Sequence, residues 1–272
     1  MSKLPELSSE YPISAEQSSR YLRDGNILCP TVATQAEIAA WRPVIVEGAT
    51  RHNRQTKPLA ERDAYGKAFL QITNLWEKDP ASAPFVLAKR FAKVAADLLG
   101  VKSVRLYHDQ ALFKEAGGGK TPWHQDQYYW PLDTDKTITM WMPLLDCSEE
   151  MGTMQFASGS DKAGYLGNFE ISEKSEATFR SMIREKGYTT VGGKAMRAGD
   201  ATFHSGWVLH AASGNSSQTT REAMTIIFYD AEARVSEPKN DHQKGDLAAW
   251  LPGLKPGDLA ASPLNPVLYS RP

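Results

Sequence analysis

Thr121-Pro122-Trp123-His124-Gln125-Asp126-Gln127-Tyr128-Tyr129-Trp130, entered through Gly117-Gly118-Gly119, sets an imidazole and a carboxylate two residues apart in an aromatic run just past a glycine turn. Side chains at i and i+2 of an extended strand share a face, so His124 and Asp126 can grip one ion while Gln125 faces away. A neutral imidazole with one hard carboxylate suits iron, manganese or zinc. The pair alone is incomplete, and a third ligand has to come from elsewhere in the chain.

Outward from this stretch the apolar period is two on both sides. Upstream, Val104, Leu106, His108, Gln110, Leu112 and Lys114 read as one face of a long strand, with Tyr107 and Phe113 in the opposite set. Downstream, Ile138, Met140 and Met142 alternate with Thr137, Thr139 and Trp141. Met151 to Phe156 is short and strand-like, closed by Ser158-Gly159-Ser160-Asp161. Strands resume at Tyr188–Val191, Ala201–Leu209 and Ala223–Tyr229, separated by turn residues. Ser172 to Lys186 reads as an inserted charged helix, with a surface helix and a lid as its two open roles.

Before Gly100 the period is helical. Ser14-Ala15-Glu16-Gln17 and Thr34-Gln35-Ala36-Glu37 are capping boxes opening helices through Tyr21 and Leu22, stopped by Gly25, and through Ile38, Trp41 and Val46. Phe85, Ala88, Phe91, Ala95 and Leu98 stripe a third helix between Pro84 and Leu99. Residues from about Gln55 to Lys67 are charged and poorly periodic, which predicts a surface segment. The tail from Asp246 is rich in proline and glycine and reads as ordered loop.

Helices first and then about eight short strands predict a mainly β fold with flanking helices, a β-sandwich or jelly-roll core. With no repeat and no long linker, the expectation is one domain over 1–272: a helical part to about 100, a β core from about 101 to 232, and a loop-rich tail. The composition (41% hydrophobic, 23% charged) is that of an ordinary globular protein with a real core. A formal net charge of −1 leaves no electrostatic footprint for nucleic acid or anionic membrane. Cys29 and Cys147 are too few for a disulfide framework and read as reduced core residues. The N-terminus lacks the apolar core of a signal peptide and no run approaches a membrane span, so a cytoplasmic location is expected.

The chain has six histidines. His52 and His242 sit in charged surroundings and read as solvated; His108, a lone histidine on a strand, reads as packed. His204 and His210 are the contenders for the third ligand, and His210 ends the apolar run before Ala211-Ala212-Ser213-Gly214. Arg221 opens the next strand, where its planar fork can pair with a carboxylate. Two His, one carboxylate and open positions beside such a clamp is the facial-triad arrangement of non-haem Fe(II) oxygenases.

These residues, together with Gly152-Thr153-Met154, Gly159-Ser160, Tyr21-Leu22-Arg23-Asp24-Gly25 and the late Ser262-Pro263-Leu264-Asn265-Pro266, resemble the phytanoyl-CoA dioxygenase family. The resemblance implies a double-stranded β-helix using Fe(II), 2-oxoglutarate and O2 to oxidise a C–H bond of a small or medium metabolite, with release of succinate and CO2. Hydroxylation is the default outcome; desaturation, epimerisation or cyclisation in natural-product biosynthesis uses the same site. On the resemblance the metal ligands are His124, Asp126 and His210. Arg221 takes the far carboxylate of 2-oxoglutarate, Trp141 and Gln110 line its pocket, and Ser213 supplies a hydroxyl beside the Arg. Asp126, replaced by a small residue in related halogenases, argues against halogenation. His204 is the reserve ligand. Tyr128, Tyr129 and Trp130 are either substrate wall or core, and Lys114, Lys120 and Arg197 either meet an anionic substrate or are solvated. A zinc or manganese cupin-like hydrolase or isomerase has no need of Arg221, and a non-catalytic binding protein has no need of an intact ligand set.

Overall fold

The computed structural model describes residues 3–271, and among them eleven strands form two antiparallel sheets. In chain order the strands are β1 (Asn26–Cys29), β2 (Leu70–Thr73), β3 (Ser103–Lys114), β4 (Thr121–His124), β5 (Thr137–Pro143), β6 (Met154–Ala157), β7 (Thr190–Gly192), β8 (Ala201–Ser205), β9 (His210–Ala212), β10 (Arg221–Asp230) and β11 (Val267–Ser270). The helices are α1 (Ala15–Asp24), α2 (Gln35–His52), α3 (Ala64–Ala68), α4 (Leu75–Lys78), α5 (Ala83–Val86), α6 (Lys89–Leu99), α7 (Glu173–Lys186) and α8 (Asp241–Trp250).

The larger sheet runs β1-β8-β5-β10-β3-β11, with β2 also on β3; the smaller runs β4-β9-β6-β7. This is the expected jelly-roll core. Helices pack on the outer face of the larger sheet, where Phe91, Ala95 and Leu98 of α6 meet Leu106, Ile138, Met140, Met142 and Phe228 in one apolar cluster. On the smaller sheet Phe179 and Ile183 of α7 bury against Trp123, Leu209 and Ala211. Truncating a phenylalanine placed like Phe179 costs about 3–5 kcal/mol, so α7 is anchored along its length. Both capping boxes form as written, Ser14 with Gln17 and Thr34 with Glu37, and Gly25 ends α1 at φ 69°. Cys29 and Cys147 are free and buried.

Several local expectations need correction. The helix between Pro84 and Leu99 is two, because Ala88 takes an extended backbone (φ −61°, ψ 121°) and restarts the chain as α6. Strict alternation along β3 fails at a bulge: Asp109 pairs with Ile226 and Leu106 with Phe228, so Tyr107 and His108 together oppose Ile227. Val104 and Leu106 therefore lie on the outer, helix-covered face, while His108, Gln110 and Leu112 line the interior. Beyond the bulge, Ala111 and Phe113 return to the outer face. Asp109 also turns outward, where its carboxylate accepts the backbone N–H groups of Leu75 and Trp76 at the start of α4. The Ala201–Leu209 strand stops at Ser205, and β9 begins only at His210. The charged 55–67 segment is more structured than expected: it contains a 3-10 turn at Leu59–Glu61, then α3, and Arg62 is buried against Glu115. The tail carries the second half of α8 and the edge strand β11.

Candidate metal and co-substrate site

A cavity of about 440 Å³ lies between the sheets, and His124, Asp126 and His210 converge in it. His124 and His210 are direct cross-strand partners on β4 and β9, which brings their rings to 4.1 Å between centroids. Gln125 keeps extended geometry (φ −117°, ψ 127°), so Asp126 falls on the face of His124. Gln125 itself points away, donating to the carbonyls of Gly164 at 2.9 Å and Trp207 at 2.6 Å. Asp126 Oδ1 lies 3.6 Å from His124 Nε2 and 3.4 Å from His210 Nε2. A ligand atom of each residue lies within 4.8 Å of the others.

The orientation of each group has a visible cause. His124 Nδ1 sits 2.7 Å from the carbonyl of Pro122, and His210 Nδ1 3.1 Å from that of Val208. Each ring thus donates its Nδ1 proton to a carbonyl two residues back and turns a bare Nε2 toward Asp126, the tautomer a metal requires. Thr139 Oγ1 donates to Asp126 Oδ2 at 3.0 Å, leaving Oδ1 to the two ligand imidazoles. Burial alone raises the Asp126 carboxyl, but His210, His124 and His204 more than offset it and hold the group well below the ordinary carboxylate range. Burial, then the neighbouring His210, pushes the His124 imidazole down, so it is neutral.

His204 is a neighbour of this group. Its Nε2 lies 3.3 Å from Asp126 Oδ2, the oxygen turned from the other imidazoles, and its ring packs 5.2 Å from Phe156. His108 lines the cavity outside the ligand group.

Arg221, at the start of β10, is buried to 2% exposure and has no acidic partner among the described residues. One terminal nitrogen donates to the Gly152 carbonyl, its guanidinium carbon lies 5.2 Å from the Trp141 ring centroid, and its Nε has no partner. Gly152 is required there: at φ 73° a Cβ would stand 2.2 Å from the Ser213 carbonyl oxygen. Burial pushes Arg221 down to about 10, which still leaves it charged at neutral pH. A buried, under-bonded cation costs several kcal/mol unless an anion meets it, so the residues here fit a carboxylate ligand.

Gln110 and Trp141 line the same cavity. Ser213 does not. It is exposed beyond the end of β9, where the Gln155 side chain reaches it at 3.4 Å. The resemblance misplaced it, because β9 ends at Ala212 and the chain turns out of the sheet there. A hydroxyl that lines the cavity at this end of β9 is Thr121, the cross-strand partner of Ala212. Lys114 is no surface charge: it is fully buried opposite Arg221, bonds the Gly119 carbonyl and lies 3.4 Å from Thr121 Oγ1. Burial, with Arg221 beside it, pushes Lys114 down to about 7. Lys120 pairs with Glu173, and neither it nor Arg197 lines the cavity.

Tyr129 and Trp130 line the cavity, whereas Tyr128 is buried outside it and stacks on Tyr165. The rest of the outer wall escaped the sequence reading: Tyr65 and Phe69 around α3, Glu170 and Ile171 before α7, and His242, Asp246 and Trp250 from α8. His242, read as solvated, pairs with Glu170 at 3.1 Å across the mouth. The one available signal was the spacing 242, 246, 250, a helical stripe hidden by a Gly- and Pro-rich context.

The sequence profile described as phytanoyl-CoA dioxygenase (PhyH) matches residues 21–223. The chain belongs to the phytanoyl-CoA dioxygenase family, a family of non-haem iron, 2-oxoglutarate-dependent oxygenases. Among solved structures it resembles the carbocyclase SnoK from nogalamycin biosynthesis, with a TM-score of 0.75 at 25% identity over 94% of this chain and 96% of that one. The fold also matches the epimerase SnoN, solved with Fe3+, α-ketoglutarate and nogalamycin RO, with a TM-score of 0.73 at 23% identity over 93% and 97% of the two chains. A curated relative, a probable α-ketoglutarate-dependent hypophosphite dioxygenase of Stutzerimonas stutzeri, is 28% identical over 151 residues, 54% of this chain and 52% of the relative. The chain thus spans about half the length of the curated relatives it matches. Among the described residues no helix is long and apolar enough to cross a membrane.

Proposed function

We propose that this protein is an Fe(II)- and 2-oxoglutarate-dependent dioxygenase that hydroxylates a C–H bond of a small organic molecule. The observation that carries the reading is Arg221, a buried cation without an acidic partner among the described residues, set in the same cavity as a two-histidine, one-carboxylate group. Iron with 2-oxoglutarate and O2 supplies the oxidation, the co-substrate leaving as succinate and CO2.

The chain's own residues supply position. His124, Asp126 and His210 hold the metal and leave its other positions open. Pro122 and Val208 carbonyls keep the imidazoles in register, and Thr139 keeps Asp126 Oδ1 turned toward them. Arg221 binds the far carboxylate of 2-oxoglutarate, with Trp141 packed on the guanidinium and Gln110 and Thr121 on the surrounding wall. A cupin-like hydrolase or isomerase would leave the Arg221 charge without use. We read residues 1–272 as one such domain, since the cavity wall draws on chain from Tyr65 to Trp250. A cytoplasmic setting is in keeping with two free, buried cysteines.

Anaerobic titration of the protein with Fe(II) and 2-oxoglutarate tests the site through the visible charge-transfer band of the chelate. The band is expected in the wild type and absent in Asp126→Ala and His210→Ala; a band that survives either change refutes the ligand set. A second outcome of the same chemistry, cyclisation or epimerisation, draws support from the likeness to SnoK. Labelled O2 separates them, because hydroxylation carries label into the product and the other two do not.

A further inference from the structure

The family match ends at residue 223, whereas α8 begins at Asp241. What α8 contributes to the cavity therefore lies outside the matched range. His242, Asp246 and Trp250 recur every four residues, so one face of the helix looks into the cavity. Behind them the bulge in β3 turns Tyr107 and His108 to the same side. Tyr107 Oη donates to Asp246 Oδ2 at 3.0 Å, and the His108 ring lies 5.0 Å from that of Trp250. His108 is 4% exposed and its Nδ1 has no partner among the described residues. Burial lowers His108 to about 4 and raises Asp246 to about 7. The first is a neutral ring whose Nδ1 is free to accept a hydrogen bond, and the second a buried carboxyl whose charge a nearby cation would stabilise.

The charges of the cavity point the same way. Among the described residues Arg221 is the one lysine or arginine in its lining, against Asp126, Glu170 and Asp246. Granting the proposed reading, Asp126 belongs to the metal and Arg221 to 2-oxoglutarate. The space left for substrate then holds Asp246, and Glu170 paired with His242, with no lysine or arginine, walled by Tyr65, Tyr129, Trp130 and Trp250. Carboxylates among aromatic faces are a recognition surface for an organic ammonium ion. A carboxylate accepts at about four lone-pair sites, and Tyr107 takes one of those on Asp246.

We infer that the substrate is a compact amine, its ammonium group held by Asp246 and His108 beneath Trp250, and that an acyl-CoA or a free carboxylic acid does not fit. The inference rests on the iron and 2-oxoglutarate reading. Four probes of matched body test it: phenethylamine, 2-phenylethanol, phenylacetate and phenylacetyl-CoA. Each is titrated by calorimetry into the metal-free protein, then into the anaerobic Fe(II)–2-oxoglutarate complex, following perturbation of the charge-transfer band. Phenethylamine is expected to bind on the order of tenfold or more tighter than the alcohol, and the two anionic probes not to bind. Asp246→Asn should erase that preference while the band without probe keeps its strength. Equal binding of all four, tighter binding of an anionic probe, no binding of any at millimolar concentration, or an unchanged preference in Asp246→Asn overturns the inference. The wild-type ranking needs no variant and stays decisive should Asp246→Asn fail to fold. If the wild type gives no band at all, the iron–2-oxoglutarate reading fails, and the calorimetric ranking shows separately whether the amine wall stands.

Discussion

At its inner end the cavity is walled by strands, with His124 on β4, His210 on β9, Trp141 on β5 and Arg221 on β10. At its mouth the wall comes from α3, the 170–171 turn and α8. Strand positions are held by ladder hydrogen bonds, β4 at its edge by its pairing with β9 and the others by two neighbours, so the spacing of ligands in the sequence translates directly into spacing in space. The mouth residues sit on short helices and loops whose placement depends on what they pack against. On the proposed reading, the groups that hold metal and co-substrate sit on or directly beside the ladder, and the wall that meets the substrate sits on the attachments.

Arg221→Ala is expected to have the largest effect of the substitutions that separate the two ends. Losing a buried charge-pairing partner costs about 2–5 kcal/mol, so 2-oxoglutarate binding by calorimetry should weaken on the order of a hundredfold or more. Thermal stability should hold or rise, because an unpaired buried cation is removed. Unchanged 2-oxoglutarate affinity would sink the clamp assignment. Thr139→Val comes next. With the hydroxyl gone from Asp126 Oδ2, Fe(II) affinity should fall about 10–100-fold, with the far-ultraviolet spectrum unchanged; equal metal affinity means that Thr139 does not position Asp126. The smallest effect is expected at the mouth, where Trp250→Ala should leave 2-oxoglutarate affinity within about twofold, since a surface change away from a site is usually worth under 0.5 kcal/mol. A large loss there would show that the mouth shapes the co-substrate pocket too, and the division between the two ends would dissolve.

What was legible in the sequence follows the same line. His124 and Asp126 could be read as a pair because period two is rigid over a few residues, whereas the choice of His210 over His204 and the use of Arg221 came with the family resemblance, since the pairing of β4 with β9 is not written in either strand. The capping boxes at Ser14 and Thr34 could be read because every contact that makes them lies within one turn. Ser213 was misplaced because the turn after Ala212 leaves the strand two residues past the ligand. The sides of Val104 and Leu106 were misread because a bulge leaves no mark in composition. Lys114 was invisible as a buried residue, since only the fold brings Gly119 and Thr121 to its ammonium group. Asp246 and Trp250 needed a tertiary partner, Tyr107 or His108, that lies well over a hundred residues earlier.

The bulge in β3 has a bearing on how such a protein can change. Two residues there face one on β10, so deleting either Tyr107 or His108 would restore unbroken alternation and invert one half of the strand. Gln110 would leave the cavity and Asp109 would swing into it, or Val104 and Leu106 would abandon the helices they now cover. Substitutions at 107 and 108 adjust the wall by degrees, whereas a change in length at the same place is all or nothing. The cavity wall of this protein is thus open to adjustment by exchange of side chains at these two positions, and a residue gained or lost there would rebuild it.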